Sequence, residues 1–147
     1  MGGGGFQSRL YKEVREKSGL VYSIYSYPIS YKHDGVMIGG FQTQNDTVKE
    51  TIDKVKKEWS KLEKKGISQS ELDSAKAYYK GSFTRNFTST LSIANLLNTI
   101  QFYNLGEDYF TRRDTIIDNL DLKEINKMIS KTFDSKKLFF FVVGKPN

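Results

Sequence analysis

The stretch FQSRLYKEVREKSGLVYSIYSY, residues 6–27, contains the change from helix to strand on which the fold depends. Phe6, Leu10 and Val14 stand four residues apart in its first half. This spacing places apolar side chains on one face of a helix, which predicts a helix over residues 7–17. The second half is rich in β-branched and aromatic residues and predicts a strand.

A glycine and a turn delimit the two strands that follow. Gly19 is the residue type that commonly ends a helix, and the first strand is predicted over residues 20–27, with Pro28 ending it. The His-Asp-Gly sequence at residues 33–35 is typical of a turn, and residues 36–43 predict a second strand. The two strands are therefore expected to pair as an antiparallel hairpin.

Most of the remaining sequence has the spacing of amphipathic helices. Apolar residues from Val48 to Leu62 recur at intervals of three and four, as on one face of a helix. Three residue pairs have the spacing of a helix capping box, namely Thr47 with Glu50, Ser68 with Glu71 and Asp121 with Glu124. Residues 138–143 are apolar throughout and predict a last, central strand.

The predicted order is one helix, two strands, four or five helices and one strand. This order predicts an α+β fold, a small antiparallel sheet with several helices packed on it. A chain of 147 residues suffices for a single domain, expected over residues 1–147. Three strands would leave the last one poorly covered, so a further strand and helix are expected upstream. The sequence is therefore interpreted as an N-terminally truncated domain.

Composition argues against two classes of partner. The net charge is +6, but the 23 basic residues are interleaved with 17 acidic ones, which is typical of solvated helix faces. No nucleic acid is therefore expected as a partner. The longest apolar run, residues 138–143, is far shorter than the roughly 20 residues that a membrane-spanning helix needs, so no membrane span is expected.

The sequence offers few ligands for a metal. Zinc sites in proteins use cysteine, histidine or carboxylate ligands held together on a rigid element. The chain has no cysteine and a single histidine, His33, which lies in the predicted turn. We therefore expect no metal site and no bound cofactor in this chain.

Several short motifs occur in the order found in a known family. The glycines at residues 2–5 precede Ser-Arg-Leu at 8–10, Arg-Glu-Lys at 15–17 and Gly-Leu-Val-Tyr-Ser at 19–23. This arrangement resembles the pitrilysin/insulinase family of zinc metallopeptidases, to which the mitochondrial processing peptidase belongs. Three later segments are similar to the family in the same order: Gly66-Ile67-Ser68, Asn104-Leu105-Gly106 and Val142-Val143-Gly144.

The resemblance implies a role for the chain. Peptidases of this family are built from two similar halves; one carries zinc, and the other supplies an arginine and, seven residues later, a tyrosine. Arg15 and Tyr22 have this spacing and are the expected catalytic residues. The chain is thus expected to be the C-terminal, non-zinc half of a bacterial metalloendopeptidase, inactive alone. Its expected partners are a peptide substrate and a homologous domain or subunit that holds the zinc.

Two alternatives and one consequence follow from the same observations. The chain could be a non-catalytic assembly subunit of the same fold, or a basic α+β module that binds nucleic acid.

If an upstream strand is absent, an open sheet edge and an apolar patch remain, and such surfaces favour pairing with another chain. Self-association through Phe139 and Phe141 is therefore expected. The sequence does not indicate a cellular compartment.

Overall fold

The computed structural model describes Met1 and residues 8–145. The predicted glycine loop at residues 2–5, Phe6 of the predicted apolar face and Gln7, the predicted first residue of the helix, lie outside the described residues. The chain divides into two compact units, one formed by Met1–Gly66 with Asn126–Asn147 and the other by Ile67–Ile125. That the two units form one domain over residues 1–147 stays a prediction.

The described elements combine a small sheet with several helices. A π-helix comes first, followed by two strands and then five α-helices within the described part of the chain. The bounds are Tyr11–Glu16 for the π-helix, Ile24–Ser30 and Gly35–Phe41 for β1 and β2, and Val48–Lys65, Gln69–Ser82, Thr90–Phe102, Tyr109–Asp118 and Leu122–Thr132 for α1 to α5. The predicted α+β fold class is confirmed. No helix in these residues is long and apolar enough to cross a membrane.

The hairpin has the predicted antiparallel pairing but a different boundary. β1 and β2 pair in a register that sets Ile24 opposite Phe41 and Pro28 opposite Met37. The prediction that Pro28 ends the first strand is wrong, since β1 continues to Ser30. Both strands of a two-stranded sheet are edges, and an edge strand accommodates a proline because its missing N–H group can face away from the partner strand.

The helix starts show which capping signals operate. The Ser68 hydroxyl accepts a hydrogen bond from the Glu71 backbone N–H, and the Glu71 carboxylate accepts one from the Ser68 backbone N–H, so this capping box is confirmed. Asp121 accepts hydrogen bonds from two backbone N–H groups at the start of α5. Thr47 does not cap α1; its hydroxyl donates to the Gln44 carbonyl instead, at 3.2 Å.

The core of the first unit joins the π-helix, the hairpin and α1. Leu10 and Val14 are fully buried, which confirms the apolar face predicted for the first helix. They form one cluster with Val21, Ile24 and Val55. Because the cluster draws on three elements of different type, none of these elements can bury its apolar face alone.

Gly66 connects the end of α1 to two other parts of the same unit. It ends the helix with a positive φ of 64°, and its N–H donates to the Leu62 carbonyl at 2.8 Å. Its own carbonyl accepts a hydrogen bond from the Arg9 guanidinium at 2.9 Å. An added Cβ would lie 2.1 Å from the Asn126 side chain, so both conformation and space favour glycine here.

The helices of the second unit bury only some of their apolar side chains. Leu72 and Ile100 are buried, whereas Tyr79, Leu91 and Leu97 are exposed. Several large apolar side chains on the helices of the second unit are therefore exposed.

The predicted last strand is wrong. Residues 138–143 form no strand and pair with no strand among the described residues. Phe140 packs against the core of the first unit. Phe139 and Phe141 are exposed by 86% and 84%. Exposed and partly buried side chains thus alternate over residues 138–141, as they do in a strand. No partner strand lies beside the segment among the described residues.

We expect this segment to mediate self-association. Replacing Phe139 and Phe141 together by serine should shift the chain towards monomer in sedimentation velocity, because large exposed apolar groups favour burial against another chain. A Tyr31→Ser change, at an exposed aromatic in the hairpin turn, is the matched control. A wild-type chain that remains monomeric at high concentration would contradict the expectation.

A second expectation concerns acid stability. The Ser135 N–H donates to the Glu63 carboxylate at 3.0 Å, and hydrogen bonds from the Ser135 side chain and backbone lower the pKa of Glu63 from its usual 4.5. A lowered pKa in the folded state stabilises the protein above about pH 4.5, and this contribution is lost as the pH falls. Glu63→Gln should therefore destabilise the chain at pH 7, and the difference should shrink towards pH 3.5 in urea unfolding. Asp53→Asn, at an exposed carboxylate of α1, serves as the control; a Glu63→Gln difference independent of pH would contradict the expectation.

Candidate functional site

The structure brings the two predicted site residues together. Arg15 lies on the π-helix, and Tyr22 lies in the segment between that helix and β1. The Arg15 guanidinium carbon is 5.4 Å from the centroid of the Tyr22 ring. This distance is within the range of a cation–π contact. Their proximity is a structural observation; their catalytic role stays a prediction.

The helix that carries Arg15 is wider than an α-helix. The Lys17 N–H donates to the Lys12 carbonyl at 3.0 Å, five residues back, as in a π-helix. The Gly19 N–H donates to the Arg15 carbonyl at 2.9 Å, and Gly19 has a φ of 61°. π-helical turns are rare and frequently occur at functional sites. Here the turn places Arg15 beside the loop that leads to Tyr22.

The backbone before Tyr22 is held on two sides. The Leu20 N–H donates to the Val14 carbonyl at 3.2 Å, and the Thr43 hydroxyl donates to the Leu20 carbonyl at 2.6 Å. Val21 is buried in the core. The side chain of Tyr22 is 83% exposed. A rigid backbone therefore presents an exposed phenol beside Arg15.

A second aromatic residue, Tyr11, contacts Arg15 and was not predicted. The Arg15 guanidinium carbon lies 4.5 Å from the centroid of the Tyr11 ring, closer than it lies to Tyr22. Residues four apart on a helix are neighbours, so the spacing of Tyr11 and Arg15 was an available signal. The guanidinium thus has aromatic rings from two different segments beside it.

The Arg15 guanidinium donates to no acceptor within the described part of the chain, since no side-chain hydrogen bond or ion pair joins it to these residues. Glu13, on the same helix, is paired with Lys17 at 2.6 Å. That hydrogen bond lowers the pKa of Glu13 and raises the pKa of Lys17. The Glu13 carboxylate is therefore already occupied by another cation, and the guanidinium N–H groups of Arg15 are available to an acceptor outside these residues.

An open cleft lies next to Tyr22. It has a volume of about 520 Å³. Its walls come from the loop before β1 and from the segment after β2, and they include Gly19, Tyr22, Gln42, Thr43 and Gln44. Amide and hydroxyl side chains line it together with the Tyr22 ring and the apolar residues Leu20 and Val21.

The family resemblance implies zinc, but the residues of this chain do not fit a zinc site. No three histidine, cysteine, aspartate or glutamate side chains lie together in the described part of the chain. His33 is exposed in the hairpin turn. Zinc needs three or four such ligands in one place. The site at Arg15 and Tyr22 is therefore one of hydrogen-bond donors and aromatic rings.

The fold and the site define a class of protein: an α+β domain related to one half of a metallopeptidase. Its described residues contain no cluster of metal ligands. Residues 1–79 match the family model described as "Peptidase M16 inactive domain". The chain belongs to the M16 peptidase family, the pitrilysin/insulinase family that the sequence motifs indicated. The resemblance noted from those motifs is thereby confirmed.

Curated bacterial relatives align with this chain. A Bacillus subtilis protein named "Uncharacterized zinc protease YmxG" is 37% identical over 97 residues, which are 61% of this chain and 22% of that protein. A Helicobacter pylori protein named "Non-peptidase homolog YmxG" is 34% identical over 146 residues, 97% of this chain and 33% of that protein. The chain thus spans at most a third of the length of these relatives.

Solved structures share the fold. A crystal structure of a peptidase M16 inactive domain from Pseudomonas fluorescens superposes with a TM-score of 0.81 at 32% identity, over 92% of this chain and 32% of that one. A protease from Helicobacter pylori superposes with a TM-score of 0.71 at 22% identity, over 92% of this chain and 33% of that one, and this likeness concerns the fold alone.

We expect the chain by itself to bind no zinc stoichiometrically, because it contains one histidine and no cysteine. Metal analysis of the purified chain after dialysis against zinc checks this, with His33→Ala as the control for weak surface binding. One zinc ion held tightly by each wild-type chain would overturn the expectation.

Proposed function

We propose that the chain is the accessory half of a zinc-dependent metalloendopeptidase and that Arg15 and Tyr22 donate hydrogen bonds to a carbonyl oxygen of the peptide substrate. The observation that carries the proposal is the position of Arg15: its guanidinium lies beside Tyr22 and donates to no acceptor among the described residues.

The two donors suit the hydrolysis of a peptide bond. Negative charge develops on the carbonyl oxygen in the transition state, and donors already in place stabilise that charge without having to reorganise. A hydrogen bond from a guanidinium is stronger than one between neutral groups. Arg15 would therefore supply the larger share of the stabilisation, and the phenol of Tyr22 would supply a second, neutral donor.

The zinc and the remaining catalytic groups would come from a homologous domain or subunit. When bound there, the metal would polarise the scissile peptide bond. Membership of the inactive-domain family supports pairing with such a half, as does the absence of a metal cluster among the described residues. The chain alone would then bind peptide weakly and cleave none.

A second candidate function is that of a non-catalytic assembly subunit. The name of the Helicobacter pylori relative, "Non-peptidase homolog", favours it, since that protein aligns with 97% of this chain. In this case the same surface would contact a partner protein. Arg15 would donate a hydrogen bond to a carbonyl oxygen of that partner, and no peptide bond would be cleaved.

The roles of Arg15 and Tyr22 are tested by replacing each in the complete enzyme. Tyr22→Phe should lower kcat with little effect on KM, because the lost hydrogen bond acts mainly in the transition state. Loss of one such donor lowers kcat by up to about 10²- to 10³-fold. Arg15→Ala should lower kcat at least as much, since a charged donor is lost. Cleavage of an internally quenched peptide provides the rates.

The control is Tyr25→Phe, which removes a hydroxyl from another exposed tyrosine of the same unit. Thermal unfolding should be similar for all three variants. Unchanged kcat in both Arg15→Ala and Tyr22→Phe would leave the pair without a catalytic role. A complete protein that binds its partner but cleaves no peptide in the presence of zinc would favour the assembly function.

A further inference from the structure

We propose that Tyr11 is a positioning residue whose ring orients the Arg15 guanidinium so that its N–H groups stay available to a substrate carbonyl. The inference rests on the proposed function of Arg15 and adds a residue to it. Tyr11 acts through Arg15 and is not expected to touch the substrate itself.

The contact with Tyr11 is the shorter of the two aromatic contacts of Arg15. The guanidinium carbon lies 4.5 Å from the Tyr11 ring centroid and 5.4 Å from that of Tyr22. Attraction between a cation and the face of an aromatic ring extends to about 6 Å and weakens with distance. Tyr11 therefore constrains the guanidinium more strongly than Tyr22 does.

Tyr11 is also the better anchored of the two rings. Its backbone N–H donates to the hydroxyl of the buried Ser8 at 3.2 Å, and the neighbouring Leu10 is buried in the core. Tyr11 is half-buried on the π-helix, whereas Tyr22 is 83% exposed. The arrangement assigns separate tasks to the rings: Tyr11 holds Arg15, and the phenol of Tyr22 remains accessible.

A stacked contact suits an arginine that must donate to an external acceptor. A flexible side chain loses conformational freedom when it binds, so holding it in advance reduces the cost of binding. A carboxylate partner would hold Arg15 too, but it would occupy the N–H groups. The Tyr11 ring holds the cation without a carboxylate, and the guanidinium N–H groups donate to no acceptor among the described residues. The Glu13 carboxylate, already paired with Lys17, does not compete.

The contact itself is tested by NMR on the 147-residue chain. The δ-methylene protons of Arg15 should have resonances displaced by the ring current of Tyr11. Tyr11→Leu should move them towards the values of a solvated arginine, and Tyr11→Phe should retain most of the displacement, because the ring remains. Tyr31→Leu, in the hairpin turn, is the matched control. Resonances that are the same in Tyr11→Leu and wild type would overturn the inference.

The consequence for catalysis is tested in the assembled peptidase, with an internally quenched peptide as the probe. Tyr11→Leu should lower kcat about threefold to tenfold, as expected for a cation–π contact, and leave KM nearly unchanged. Tyr11→Phe should restore most of the rate. In an Arg15→Ala background the same Tyr11→Leu change should have no further effect, because Tyr11 acts only through Arg15.

The outcomes separate the inference from the function on which it rests. If Arg15→Ala leaves kcat unchanged, the proposed function of Arg15 fails. If Arg15→Ala lowers kcat and Tyr11→Leu does not, the function stands and the positioning role of Tyr11 is wrong. A Tyr11→Leu effect that persists in the Arg15→Ala background would show a structural role instead. Tyr11→Met, which also lacks the ring, guards against a folding defect specific to leucine.

Discussion

The burial of Leu10 and Val14 against the hairpin and α1 is the interaction on which the rest of the first unit depends. Both side chains are almost fully enclosed, and they meet Val21, Ile24 and Val55 from the elements that follow. Burial of this size contributes roughly 1.5–3 kcal/mol for each large apolar side chain. It fixes the π-helix against the sheet, and with it the starting point of the segment that carries Tyr22.

The site follows from that packing. Val14 faces the core, and Arg15, the next residue, stays at the surface. The Val14 carbonyl accepts the hydrogen bond from Leu20, so the same turn of helix orients both Arg15 and the approach to Tyr22. The Arg15 guanidinium lies beside two tyrosine rings and donates to no acceptor among the described residues. Family membership agrees with such a role without establishing it.

Much of the fold and part of the site could be predicted from the sequence. Particular residues show which features could not be predicted. The heptad-like spacing of α1 and the Ser68–Glu71 capping box are local signals, and the structure contains both elements. Pro28 was expected to end β1, but whether a proline interrupts a strand depends on whether its N–H side meets another strand. The contact of Tyr11 with Arg15 was missed although their four-residue spacing was an available signal, because spacing does not tell which of several neighbours an arginine side chain contacts.

The sequence by itself determined the class of fold, the order of its helices and the family, because periodicity, caps and motifs are properties of neighbouring residues. It also determined that one histidine and no cysteine offer little to a metal. Only the tertiary structure decided that Arg15 lies between Tyr11 and Tyr22, and that residues 138–143 stand beside the core without a partner strand among the described residues. The first depends on how the chain turns after the π-helix, and the second depends on how distant parts of the chain approach one another; local pattern encodes neither.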